Sequence, residues 1–285
     1  MSDPAVERVV ETVATAAGAI REGLPERRGA AGVENPSGEE QKAADVHADE
    51  LLVERLGALG EVGTVASEER AEPVDVGDGV AVALDPLDGS SNLASNNLMG
   101  TVFGVFDRPL PAGGDALLGA GYVLYGPTTT MVVASEGSAT EYGLDGGSIR
   151  VIDDDVTLPD DPTVYGFGGR TADWPADFAA FADEVQGDPG LKLRYGGAMV
   201  GDVNQVLAHG GVFAYPALDS APDGKLRLQF EAIPVAAVVE AAGGASTDGA
   251  RSLLDVTPDE LHQRVPVHVG NESLVRRVEE TVDRD

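Results

Sequence analysis

Cysteine is absent from the 285 residues, which excludes a disulfide framework, a thiolate zinc site, a thiol nucleophile and thiol redox control. No apolar run reaches the roughly eighteen residues that a membrane span requires. The N-terminus, MSDPAVERVVE, is acidic and helix-patterned where a secretory leader would be basic and then apolar, so the chain is expected to be cytoplasmic. Histidine is scarce: His47, His209, His262 and His268 share no spacing and are expected to be surface or core residues away from the motifs, not zinc ligands. Lysine is scarcer still, at Lys42, Lys192 and Lys225. Nineteen basic residues against forty-nine acidic ones give a net charge of −30, which repels nucleic acid phosphate and anionic lipid. Neither is expected as a partner. The acids run from end to end and alternate with apolar positions, so they form the charged surface of a folded body. Such a surface suits a salt-accumulating cytosol, where the Debye length shrinks to about 3 Å or less.

What is present is ordinary globular material, 42% hydrophobic and 24% charged. A chain of this length buries roughly 75% of its unfolded surface and needs no metal merely to fold, so any metal site serves function. Helical spacing marks 4–20 and again 38–58, opened by Ser37 as a cap, with a Gly/Arg/Pro-rich loop over 23–36 between them. VGTVAS (62–67), VAVAL (80–84) and GTVFGVF (100–106) read as buried strands, and ALLGAGYVLYG with TTTMVVAS as a hairpin joined at Gly126-Pro127. Ser148–Val156 adds an acidic strand. After Asp160-Asp161-Pro162 the pattern restarts with a strand in 163–169, helices near 174–186 and 197–209, strands at 211–216 and 225–230, a helix over 231–242, a strand at VPVHVG and a last helix. The expectation is a layered α/β protein of two subdomains, 1–158 and 159–285.

Acidic pairs are common by chance at this composition, but Glu68-Glu69 directly follows a buried strand, where open α/β sheets place ligands. The segment Asp85-Pro86-Leu87-Asp88-Gly89-Ser90-Ser91-Asn92 follows the next one. Pro86 fixes one backbone angle and Gly89 allows a positive one, so a tight turn can aim both carboxylates at one spot. Carboxylates so placed repel unless a hard dication such as Mg²⁺ lies between them. Gly89, Ser90 and Ser91 then offer amide N–H groups and hydroxyls suited to a phosphate. An EF-hand loop would need a Glu at the position of Asn96, so calcium buffering is not expected.

SGEEQKAADV (37–46), ASEE (66–69), LDPLDGSSN (84–92), GTVFGVF (100–106), RYGGAMVGDVNQVLAHGGVFAYPA (194–217) and KLRLQFEAIPVAAVVEAAGG (225–244) together resemble the class I fructose-1,6-bisphosphatase family, within the Mg²⁺-dependent, Li⁺-sensitive sugar and inositol phosphatase superfamily. Phe230-Glu231, where the inositol branch carries Trp-Asp, favours the bisphosphatase branch. The resemblance implies a layered αβαβα sugar-phosphatase fold and removal of the 1-phosphate of fructose 1,6-bisphosphate, a gluconeogenic step. It implies two or three Mg²⁺ held by Glu68, Glu69, Asp85, Asp88, Glu231 and the Leu87 carbonyl. Asp45 and Glu69 would flank the attacking water. Asp88, Gly89, Ser90, Ser91 and Arg227 would meet the reacting phosphate. Arg194, Tyr195, Tyr215 and Lys225 would hold the sugar and 6-phosphate, with Arg194 reaching a neighbouring subunit's site in a homodimer or homotetramer. Sedoheptulose-1,7-bisphosphatase or inositol monophosphatase activity is the alternative, and a catalytically silent metal-binding regulator the alternative from another class. Three departures stand out. Gly168 or Gly169 replaces the family's phosphate-binding Asn, Ala198 replaces its Ser, and Gly79-Val80 replaces a Lys-Tyr pair of AMP-regulated members, so allosteric AMP inhibition is not expected.

Overall fold

The computed structural model describes residues 3–36, 38 and 40–282, and these form five alternating layers. The outer layer is α1 (Pro4–Gly23) and α2 (Ala43–Gly57). In α1, Asp3 caps the start by accepting the Ala5 amide at 2.8 Å, and Val6, Val9, Val13, Ala17 and Ile20 recur at helical spacing as one buried stripe. The stripe packs on an eight-stranded sheet ordered 148–153, 138–145, 129–135, 117–125, 99–106, 80–88, 62–67, 74–75. Alternation supplies both faces: Val82, Leu84, Phe103 and Val123 face α1 and α2, while Ala81, Ala83, Val102 and Tyr122 face the next layer.

That middle layer is α4 (Met199–His209) and α5 (Ile233–Ala241), the latter buried nearly all round because it lies between two sheets. Beyond it lies a five-stranded sheet ordered 192–193, 164–167, 211–215, 267–270, 245–247. Phe167, Val212 and Ala214 on its far face pack against Phe178 and Phe181 of α3 (Ala176–Gln186) and Leu274 and Val278 of α6 (Glu272–Thr281). The αβαβα layering expected from the sequence is thus the observed architecture. Every strand of the first sheet comes from 62–153 and every strand of the second from 164–270.

One pairing decides where chemistry can happen. Val62–Ser67 and Val80–Asp88 run parallel, with Ser67 level with Leu84, in a sheet whose other pairings are antiparallel. Both strands therefore end on the same edge, and Glu68 and Asp85 emerge side by side.

Several elements differ from the sequence reading. The second helix begins at Ala43 rather than at 38, because Glu40–Lys42 pairs as a short strand with Ala30–Glu34. The proposed Ser37 cap lies outside the described residues. KLRLQF is strand only at Leu226–Arg227; Leu228–Ala232 winds into a π-helical turn that runs into α5. Its apolar run matched a strand and a buried helix equally well. Ser138–Asp145, unassigned from sequence, is a full strand between two neighbours.

Candidate active site

The DPLD segment is not a turn. Asp85 pairs with Val102 and Asp88 with Gly100, so three residue steps on one strand oppose two on the other. This β-bulge carries one extra residue, and it turns two carboxylates three positions apart, which a regular strand would aim at opposite faces, to the same side. Gly89 follows at φ +74°, and a Cβ there would stand 2.3 Å from the Ala198 Cβ, so only glycine lets the chain pass.

Four segments meet here. Carboxylate oxygens of Glu68, Asp85 and Glu231 lie within 4.8 Å of one another. Asp88 stands beside them and accepts the Val200 amide of α4 at 2.8 Å. Glu231 projects from the π-helical turn and accepts the Arg227 amide at 2.5 Å. The Arg227 guanidinium lies 3.2 Å from Glu68. All five side chains are buried, leaving four carboxylates around one cation. Desolvation, then mutual repulsion, raises Asp85 and Glu231 well above the usual carboxylate range. Desolvation also pushes Asp88 up to about 7. Exclusively hard oxygen donors with an excess of buried negative charge fit Mg²⁺, and no buried thiol or imidazole offers a softer metal a ligand within this cluster.

Asp45 and Glu69 lie with the cluster on the wall of one cavity. Asp45 accepts the Lys42 amide at 2.6 Å at the start of α2. Glu69 accepts from the Gln41 side chain, and burial pushes it up to about 8. That cavity has a volume of about 350 Å³, and its lining also includes Gly89, Ser90, Ser91, Tyr195, Tyr215 and Lys225. The cavity thus gathers Asp45, Glu68, Glu69, Asp85, Leu87, Asp88, Gly89, Ser90, Ser91, Tyr195, Tyr215, Lys225, Arg227 and Glu231. Arg194 is the one singled-out residue that does not line it; its side chain is exposed.

Three features go beyond the sequence reading or correct it. Gln41, four residues before Asp45, is a buried amide that orients Glu69. Gly168 is explained by the Tyr215 ring, which stands 2.3 Å from where a Cβ at 168 would be, so the ring fills the space a side chain there would take. His262 is not remote from the motifs: its Nε2 lies 2.9 Å from the Arg70 carbonyl and its ring 5.1 Å from Phe230, next to Glu231. No sequence spacing announced this contact, because it joins segments far apart in the chain.

Comparisons with known proteins bear on the same cleft. The family model for the fructose-1-6-bisphosphatase N-terminal domain matches residues 5–149, and that for the C-terminal domain matches 158–283. A class 1 fructose-1,6-bisphosphatase of Natronomonas pharaonis is 55% identical over 278 residues, spanning 96% of this chain and 98% of that protein. One from Haloarcula marismortui is 49% identical over 282 residues, spanning 99% of this chain and 96% of that protein. Among solved structures, the holo form of Leishmania major fructose-1,6-bisphosphatase is similar with a TM-score of 0.93 at 27% identity, over 99% of this chain and 96% of that one.

Proposed function

This chain belongs to the class 1 fructose-1,6-bisphosphatase family, and on that premise we propose that its cleft hydrolyses the 1-phosphate of fructose 1,6-bisphosphate, giving fructose 6-phosphate and phosphate. The observation that carries the reading is the convergence of Glu68, Asp85 and Glu231 within 4.8 Å beside Asp88 and Arg227, at one end of a cavity large enough for a sugar phosphate. Glu68, Glu69, Asp85, Asp88, Glu231 and the Leu87 carbonyl would hold two or three Mg²⁺. Bound there, Mg²⁺ supplies charge neutralisation and an acidified water.

The chain's own groups supply the rest. Asp45 and Glu69, at the wall of the cavity, take the proton released by the attacking water. Arg227 offsets charge on the reacting phosphate, and the Gly89 amide with the Ser90 and Ser91 hydroxyls donates hydrogen bonds to its oxygens. Tyr195, Tyr215 and Lys225 line the open end, where they orient the sugar and its second phosphate. Residues 1–158 form the metal-binding part and 159–285 the sugar-phosphate part, with Glu231 reaching across from the second to complete the first.

Arg194 serves the cleft of a second copy in a homodimer or homotetramer. Support comes from its exposure away from its own cleft and from its neighbours Leu193 and Tyr195, which are 61% and 46% exposed. The place of work is a cytoplasm of high salt, consistent with the −30 charge and with the absence, among the described residues, of any helix long and apolar enough to cross a membrane. The test is turnover with Mg²⁺ in high-salt buffer on fructose 1,6-bisphosphate, sedoheptulose 1,7-bisphosphate and inositol 1-phosphate. The expected order places fructose 1,6-bisphosphate first. Preference for either other substrate would move the assignment to that branch, and no turnover on any of the three would point to the silent regulator.

A further inference from the structure

Between Tyr195 and α4 the chain passes through Gly196 and Gly197, the latter at φ +80°. Two consecutive glycines cannot hold a turn by their own steric preferences, since glycine loses the most conformational freedom on ordering. This turn is held from outside. Asp202, in the first turn of α4 and only 3% exposed, accepts the Gly196 amide at 2.5 Å and the Gly197 amide at 3.2 Å. From the opposite side the Gly196 carbonyl accepts Nδ2 of Asn92 and Nδ2 of Asn97, each at 2.9 Å. Asn92 ends the DPLDGSSN motif and also donates to the Leu98 carbonyl at 2.8 Å, so it is itself fixed. Directly after the turn, Ala198 packs where a Cβ on Gly89 would be.

We propose that Asp202, together with Asn92 and Asn97, clamps the Gly196-Gly197 turn onto the metal-site loop and thereby positions Tyr195 for the sugar end of the substrate. This rests on the reading of Tyr195 as a substrate-binding residue. Asp202 borders the same cleft, but both of its carboxylate oxygens are taken by the amides of the turn, so its role is that of a positioning residue. A buried carboxylate in a helix is costly unless its lone pairs are used, and here the two glycine amides use them. The clamp also explains why the two ends of the cleft keep register: the Gly89–Asn92 loop that meets the reacting phosphate and the Arg194–Gly197 loop that meets the sugar share these hydrogen bonds. Each is thereby a template for the other.

The test compares Asp202→Ala, Asp202→Asn, Tyr195→Ala and the Asp202→Ala/Tyr195→Ala double variant by steady-state kinetics on fructose 1,6-bisphosphate at saturating Mg²⁺. Asp202→Ala is expected to raise KM about tenfold while kcat stays within about threefold, the pattern of lost positioning rather than lost chemistry. Asp202→Asn should fall between it and the wild type, because its amide oxygen still accepts one glycine N–H. The double variant should show the KM of Tyr195→Ala alone, since the clamp has no purpose once the ring is gone. A merely structural Asp202 would lower kcat with the folded fraction and leave KM in place, which overturns the proposal. Multiplying KM effects in the double variant overturn it as well. If Tyr195→Ala raises KM and Asp202→Ala does not, the clamp fails and the Tyr195 reading stands; if neither raises KM, the Tyr195 reading itself fails and takes the clamp with it.

Discussion

At the closed end of the cleft Glu68, Asp85, Asp88 and Glu231 are between 4% and 8% exposed, whereas Tyr195 at the open end is 46% exposed. The closed end is held by sheet register, a β-bulge and a π-helical turn. At the open end Tyr195 is held by the hydrogen bonds of a loop, while Tyr215 ends the strand 211–215. Rigid, dehydrated carboxylates suit the part of the substrate where charge changes during reaction, because fixed groups need no reorganisation there. A wetter, loop-borne end suits recognition of a part that does not react. Substitutions should therefore separate kcat from KM according to the end they touch.

The largest effect is expected at Asp88. Its replacement in Asp88→Asn keeps an oxygen to accept the Val200 amide but removes the charge proposed to hold metal. The kcat should fall at least about 10²-fold, near 2.7 kcal/mol of transition-state stabilisation. Turnover close to wild type at saturating Mg²⁺ would remove the closed end from the chemistry. A smaller change belongs to the open end. Lys225→Ala should raise KM about tenfold with kcat within about twofold, a loss of about 1.4 kcal/mol of binding. A pure kcat loss there would erase the contrast between the ends.

How far this division could be read from sequence follows from how each end is built. Three of the four acids at the closed end, Glu68, Asp85 and Asp88, sit in motifs that continue apolar strands, so ASEE and LDPLDGSSN exposed them, whereas Glu231 was reached only through the family resemblance. The means of convergence was less legible: a bulge does not change composition, and LRLQF serves a strand or a buried turn equally. The open end depends on contacts between distant segments, such as Asn92 with Gly196 and Tyr215 with Gly168, which no local pattern encodes. Most helices and strands were legible from periodicity, and their αβαβα order from the family resemblance, except where a short strand such as Glu40–Lys42 takes its structure from its partner.

A change of pH acts on the closed end and on Glu69 beside it. Burial raises Glu69 to about 8 and Asp88 to about 7, above their values in the unfolded chain. Between the unfolded carboxylate range near pH 4 and these folded values the two groups bind more protons in the folded state than in the unfolded one, so metal-free protein should lose their contribution to stability as pH rises from about 4 to about 8. Saturating Mg²⁺ favours the ionised carboxylates and should flatten this slope. Denaturant midpoints across that range, with Mg²⁺ or with chelator, measure it; a metal-free midpoint rising with pH would contradict the burial argument.

The smallest and most diffuse effect is that of salt on the outer surface. The −30 charge is repulsive in dilute buffer, and screening should raise the thermal midpoint steadily from about 0.1 to about 3 M KCl. The buried carboxylates are shielded by protein rather than by ions, so the pH slope of the metal-free protein should persist at high salt. A slope abolished by KCl alone would mean that solvent reaches the closed end.

The π-helical turn at Leu228–Ala232 acts as a phase shifter. Relative to a continuous α-helix it holds one residue more, and one residue is about 100° of rotation. Without it, the segment that carries Arg227, whose amide Glu231 accepts, and the helix that seats Val235, Val238 and Val239 in the apolar layer would have to share one helical register. The turn uncouples the two demands, letting the helix answer to packing and the carboxylate to the cleft. A single-residue deletion there would leave composition and hydropathy almost untouched and yet force the chain to choose between its core and its chemistry.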